Sequence, residues 1–193
     1  MGKTGFRGHL RIARKARACS LACGFLLVSS NALALDVAEY PLKAAFIYNF
    51  GKFIEWPSSA FEKSDDPFYI CLMGNERFGE SLQALKKSSY NQRPISVSYP
   101  KTLAEARRCH VLYVDDPSNS PLGSGAWKAL GEAPVLTVSS DSGAIESGVC
   151  IGFVQQSGKL RWALNLDALR RAKLKVSAKL IEVAITVIGE VPP

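Results

Sequence analysis

Phe68-Tyr69-Ile70-Cys71-Leu72-Met73-Gly74-Asn75 decides the fold of this 193-residue chain. Its apolar residues run into Gly74 without alternation, the pattern of a strand covered on both faces. The same pattern returns in His110-Val111-Leu112-Tyr113-Val114-Asp115 and in Val135-Leu136-Thr137-Val138, with a shorter alternating strand over residues 94–99. Helical segments lie between: residues 76–87 with Phe78, Leu82 and Leu85 on one side, then 103–108 and 126–130. Strands that alternate with helices need right-handed crossovers, which gives a mainly parallel sheet with helices on both faces. After Ser139 the pattern changes. Residues 149–155 and 160–166 read as strands joined by Gln156-Ser157-Gly158-Lys159, an antiparallel hairpin appended to the sheet. A closing helix is expected over residues 177–188, with Ser177 as N-cap and Leu180, Ile181, Ala184, Ile185 and Ile188 as its apolar face. The fold class is α/β, three-layer, in one domain.

Upstream of the first strand, residues 40–57 form the most aromatic segment of the chain. Leu42, Phe46, Phe50 and Phe53-Ile54 recur at helical spacing and predict one core-facing stripe. Pro41 suits a first helical turn, and Pro57 stops the helix after Trp56. Ile47, Tyr48 and Trp56 widen the stripe beyond what one sheet face must cover. That excess suits a contact with a second copy of the chain through Ile47 and Tyr48.

Residues 1–34 read as a secretory leader rather than as fold. Lys3, Arg7, Arg11, Arg14, Lys15 and Arg17 form a basic region without acids, residues 18–28 are a short apolar run, and Ala32-Leu33-Ala34 is a cleavage pattern. The apolar run falls short of the roughly 20 residues that a bilayer-spanning helix needs. The expected product is an exported domain over residues 35–193. Removing those six basic residues from the 24 Lys+Arg leaves 18 against 17 Asp+Glu. The basic balance of the whole chain therefore belongs to the leader and gives no support to nucleic-acid binding.

Catalytic and metal chemistry find little to work with. Beyond the leader there is one histidine, His110, and three cysteines, Cys71, Cys109 and Cys150. Neighbouring strand residues point to opposite faces, so Cys109 and His110 are badly placed as a nucleophile and base pair. No metal-ligand spacing and no C-x-x-C are present, so neither a metal centre nor a thiol oxidoreductase is favoured, and no cofactor is expected. Asp115-Asp116 at a strand end could face a ligand crevice, but the following Pro117 reads more simply as a turn. In an oxidising compartment two of the three cysteines can pair, leaving one thiol over.

Several segments together resemble one family. They are Lys43–Phe50 with Phe53-Ile54-Glu55-Trp56-Pro57, Cys71-Leu72-Met73-Gly74, Cys109–Val114, Val135–Ser139, Leu160–Leu166 and Leu174–Leu180. In order, they are similar to the YfiR-like periplasmic proteins and span nearly all of the expected exported chain. The resemblance implies a regulator rather than an enzyme: a periplasmic repressor that binds the periplasmic sensor domain of an inner-membrane diguanylate cyclase, lowers cyclic di-GMP and so restrains biofilm formation. It also implies homodimers and disulfides. Members can carry a second cysteine just before Cys150, where this chain has Ala144, Glu146 and Ser147, and a Gly-Gly appears here as Ser147-Gly148.

Within that frame a Cys71–Cys109 bridge is expected, provided the two strands bring the thiols to one side of the fold. The charge distribution suggests where a partner would sit. Lys159, Arg161, Arg170, Arg171, Lys173, Lys175 and Lys179 crowd a segment containing one acid, Asp167. Leu169, Arg170, Lys173 and Lys175 make a mixed apolar and basic candidate surface for that partner. The alternative function is a periplasmic small-molecule-binding sensor using a crevice at the strand ends.

Overall fold

The computed structural model describes residues 31–63, 65–74, 78–117, 120, 122–123 and 125–190. The chain divides into two compact units, Met1–Leu35 and Asp36–Pro193, and the second holds the sheet. The leader expected over residues 1–34 lies outside the described residues apart from its last four. Among the described residues no helix is long and apolar enough to cross a membrane.

Helix α1 (Asn31–Lys52) is followed by β1 (Ile54–Glu55), a 3-10 turn (Ser58–Ala60) and β2 (Phe68–Met73). Then come α2 (Gly79–Leu85), β3 (Ser89–Tyr90), β4 (Arg93–Ser98), α3 (Leu103–Ala106), β5 (Val111–Val114), α4 (Ala126–Leu130) and β6 (Leu136–Ser139). The last third holds α5 (Ala144–Ser147), β7 (Ile151–Gln156), β8 (Lys159–Asn165), α6 (Leu166–Arg171), β9 (Lys175–Val176), α7 (Ala178–Glu182) and β10 (Thr186–Ile188). Eight strands form the main sheet in the order β10-β8-β7-β6-β5-β2-β4-β3, and β1 pairs with β9 in a separate ribbon. Strands β4, β2, β5, β6 and β7 are mutually parallel, and β7–β8 is the expected antiparallel hairpin. Its turn is Ser157-Gly158, both at positive φ, as a tight two-residue hairpin turn requires.

Alternation within the central strands builds the three layers. Ile70, Leu72, Val111 and Tyr113 face a layer made by α1, α2, α6 and α7. Cys71, Met73, Leu112 and Val114 face the opposite layer, made by α3, α4 and α5. Because both faces are covered, β5 and β6 are buried at every position; β5 reads as an unbroken apolar run, whereas β6 also buries Thr137 and Ser139, whose hydroxyls accept from the Cys150 and Asp141 amides. Local chemistry fixes the short helices. Thr102 caps α3 by accepting from the Glu105 amide at 3.2 Å, while Glu105 accepts from the Lys101 amide at 2.7 Å. Asn165 caps α6 by accepting from the Ala168 amide at 2.8 Å and donates to the Ile145 carbonyl at 2.6 Å.

The structure corrects the expected bounds and orientation of the first helix. Helix α1 does not begin at Pro41, which lies inside it, and it ends at Lys52 rather than at Trp56. Tyr40 is buried ahead of the proline, so packing on both sides holds the helix through a residue that lacks its amide donor. Ile54 and Glu55 turn extended to pair with Val176 and Lys175. The core-facing stripe is also rotated. Tyr40, Ala44, Ile47, Phe50 and Ile54 are buried, whereas Leu42 is 46% exposed and Phe53 38%. Ile47, expected at a dimer contact, has 0% exposure and belongs to the core.

The closing helix breaks in two. Helix α7 stops at Glu182, and the β-branched run Ile185-Thr186-Val187-Ile188 supplies β10, which pairs in parallel with Ala163, Leu164 and Asn165 of β8. Ser177 occupies the N-cap position without a side-chain capping bond, and its hydroxyl is buried without a protein partner.

His110 gives the fold a titratable support. Its ring stacks against Phe61 and Phe68 with centroids 4.5 and 4.8 Å away. The Tyr69 amide donates to Nδ1 at 3.0 Å, so the ring proton sits on Nε2, which donates to the Ala60 carbonyl at 3.0 Å. Burial pushes the imidazole down to about 4. The folded protein therefore binds this proton less readily than the unfolded chain. Stability from His110 is fully present above pH 6.5 and is lost as pH falls through 4. Between pH 7.5 and 4.5 the loss should be on the order of 2–3 kcal/mol. Urea midpoints for wild type and His110→Gln at both pH values check this: the wild type should lose more stability than the variant by about that amount.

Candidate functional site

The carboxyl ends of the parallel strands carry the densest polar cluster described. It is built by α1 with residues just beyond β5 and β6. The Lys43 ammonium lies 2.6 Å from Glu39 Oε1, one helical turn back, and 3.8 Å from Asp115 Oδ1, with its side chain 4% exposed. It also sits 5.0 Å from the centre of the Tyr40 ring. Tyr40 donates its hydroxyl to Asp115 Oδ2 at 3.1 Å, and Tyr113 donates to Asp115 Oδ1 at 2.5 Å. The Tyr113 oxygen is also 2.8 Å from Ser140 Oγ. Burial, then the bond to Asp115, pushes the Tyr113 phenol far above its ordinary range, so it remains a neutral donor. Asp115 is thus neither a simple turn residue nor a lone ligand group. Its carboxylate ties α1 to the sheet, and a buried lysine, a buried phenol and a serine already engaged in that tie offer no activated nucleophile.

Next to this cluster the sheet has a gap. Strand β6 ends at Ser139, opposite Gly152, while β7 continues to Gln156 paired with β8 alone. The hairpin outruns its neighbour and leaves a cavity of about 470 Å³ over the end of β6. Glu39 and Lys43 of α1, Asp141 of the following loop, Glu146 of α5 and Phe153 of β7 line it.

The cysteines lie elsewhere. Cys71 and Cys109 form a disulfide with Cα atoms 5.9 Å apart. A smaller cleft of about 290 Å³ lies against the bridge, lined by Tyr69, Tyr99, Glu105 and Arg108. Cys150 is a buried free thiol whose pKa burial pushes up, so it packs as a small apolar side chain. Among the described residues no group of three or more His, Cys, Asp or Glu side chains could hold a metal ion.

The candidate partner surface divides in two. Leu169 is 1% exposed and anchors α6 in the core, so it presents nothing to a partner. Arg170 is exposed and reaches Asp167 at 2.7 Å and the Glu190 carbonyl at 3.2 Å. Lys173 is exposed, 2.8 Å from Glu132, which it holds below the usual carboxylate range. Lys175 is exposed on β9. The basic side chains are therefore at the surface, and the apolar component is not. Tyr48 is half-buried, donating to the Ser89 carbonyl at 3.1 Å with Lys52 4.1 Å from its ring centre.

A family model described as YfiR/HmsC-like matches residues 40–185. The chain belongs to the YfiR/HmsC-like family. That match runs from Tyr40 of α1 to the threshold of β10, so the YfiR/HmsC-like region contains the disulfide, the basic segment and the polar cluster apart from Glu39. A search among curated proteins finds no match. Among solved structures, a conserved domain protein from Vibrio cholerae O1 biovar El Tor N16961 is similar at 11% identity, with a TM-score of 0.49. The alignment covers 77% of this chain and 60% of that one.

Glu39, Lys43, Tyr113 and Ser140 are not marked as site residues by the sequence. One signal was available: Glu39 and Lys43 stand one helical turn apart, and Lys43 interrupts the apolar spacing around Ala44 and Ile47. Tyr113 and Ser140 gave none, because each looks like an ordinary strand or loop residue until the fold places it beside Asp115.

Proposed function

We propose that the chain is a periplasmic regulatory protein, exported by a leader over residues 1–34, that binds and inhibits the periplasmic sensor domain of an inner-membrane diguanylate cyclase. Inhibition lowers cyclic di-GMP and with it biofilm formation. Membership in the YfiR/HmsC-like family, over residues 40–185, is the observation that carries this reading. The protein acts by reversible association, so a releasing signal must have different affinity for the free and bound forms.

Arg170, Lys173 and Lys175 are the proposed basic contribution to the partner surface, with Leu169 holding α6 in place from below. The proposed homodimer contact loses Ile47 to the core and keeps the half-buried Tyr48. The half-exposed Leu42 and Phe53 add the apolar surface that Ile47 was expected to supply. Deleting the gene should raise cyclic di-GMP in a cell that carries the cyclase, and restoring it should reverse the rise. The double variant Arg170→Glu/Lys175→Glu should weaken retention of the cyclase from solubilised membranes by roughly tenfold without lowering the melting temperature. Unchanged retention would remove the basic segment from the partner surface.

A further inference from the structure

The cavity over the end of β6 has a wall of two characters. Phe153, Leu160 and Ile185 give it an apolar floor, while Glu39, Asp141 and Glu146 set carboxylates around it. The one cation among its described lining residues, Lys43, is already held by Glu39 at 2.6 Å and faces Asp115 at 3.8 Å. Three carboxylates against that single ammonium give the described lining a formal balance of two negative charges. Asp141 and Glu146 are exposed at the mouth, where their field meets an arriving molecule first. An anion entering would face that field and find no available ammonium among the described lining residues. A cation would be drawn in, and its apolar body would dock on the Phe153 side of the cavity. The position agrees with the general rule that ligands of open α/β sheets bind outside the carboxyl ends of the strands. The volume, about 470 Å³, suits a small organic molecule rather than a bare ion.

We propose that this cavity binds a small amphipathic amine, its ammonium group between Asp141 and Glu146 and its apolar group on Phe153, Leu160 and Ile185. Because the wall joins Glu39 and Lys43 of α1 to the α5 segment and to the β10 edge, an occupant would bridge elements otherwise held by separate contacts.

The test uses the purified full-length chain and no cyclase, so it stands or falls separately from the regulatory reading. Phenethylammonium, phenylacetate and 2-phenylethanol share one apolar body and differ in charge. Calorimetric titration should give phenethylammonium a dissociation constant below about 1 mM and an affinity at least roughly tenfold above that of phenylacetate. Asp141→Asn/Glu146→Gln keeps the shapes and removes both charges, and should lower the affinity roughly tenfold. Thr186→Trp, at the exposed edge of the cavity, should abolish binding with the melting temperature unchanged. Glu132→Gln, an exposed carboxylate away from the cavity, should bind like wild type. The proposal is overturned if none of the three probes binds, if the anion or the alcohol binds as tightly as the amine, or if both cavity variants keep wild-type affinity.

Discussion

Replacing Ile47 with aspartate should unfold the protein rather than separate a dimer. The side chain is fully enclosed among Tyr40, Ala44, Phe50 and the strand residues beneath α1. Aspartate there would forfeit the buried aliphatic surface, at a cost of 2–5 kcal/mol for a truncation of this kind. It would also bury a carboxylate with no cation beside it, which adds several kcal/mol or forces a proton onto the group. The sum, on the order of 5 kcal/mol or more, is comparable to the whole stability of a typical domain. Leu42→Asp, on the exposed side of the same helix, should cost less than about 1 kcal/mol. Circular dichroism with urea titration of the two variants checks the pair. A folded Ile47→Asp monomer would return Ile47 to the surface and the dimer contact to its original place.

The second large effect is expected at the disulfide. Cys71 and Cys109 are separated by 38 residues, and closing a loop of that length restricts the unfolded chain by an amount worth about 4 kcal/mol in the chain-entropy account. Cys71→Ser/Cys109→Ser should therefore lower stability by roughly 3–4 kcal/mol and the melting temperature by on the order of 10 °C. The bridge joins β2 to the approach to β5 on the α3 side, while His110, the next residue, is buried against Phe61 and Phe68. Loosening Cys109 should therefore reach the His110 support. In the double variant the stability lost on acidification from pH 7.5 to 4.5 should shrink. Equal melting temperatures with and without the bridge would show that the folded fragment around α3 holds the same geometry unaided.

Much of the architecture could be read from the chain because burial on both faces leaves a simple mark. The runs at Ile70 and Val111 are apolar without interruption, and with the fully buried strand Leu136–Ser139 they imply a parallel sheet between two helical layers. The hairpin was equally legible from its turn residues. Two kinds of feature were not. Periodicity located α1 but not its rotation, because Leu42, Phe46, Ile47, Phe50 and Phe53 are apolar around most of the helix, and only the buried Lys43 and Tyr40 mark which side meets Asp115. The chain after Leu174 mixes β-branched and helix-forming residues, so α7 and β10 read as one helix over residues 177–188, and the short strand β9 before it leaves no mark. Which side won depended on an edge of β8 that only the assembled sheet provides.

Candidate sites were legible in proportion to how local they are. The basic segment is visible by composition alone, yet Leu169 points inward because α6 follows β8 directly with Asn165 as its cap. The cluster around Asp115 joins residues from three distant segments, so no spacing in the sequence announces it.

The regulatory reading meets its most direct test in a reconstitution. A diguanylate cyclase with a periplasmic sensor domain is purified in detergent, and its rate of cyclic di-GMP formation is measured as the purified chain is added. The account predicts saturable inhibition, with the cyclase and the chain eluting together on gel filtration. A cyclase rate that stays constant across the titration, with the two proteins eluting apart, would contradict it.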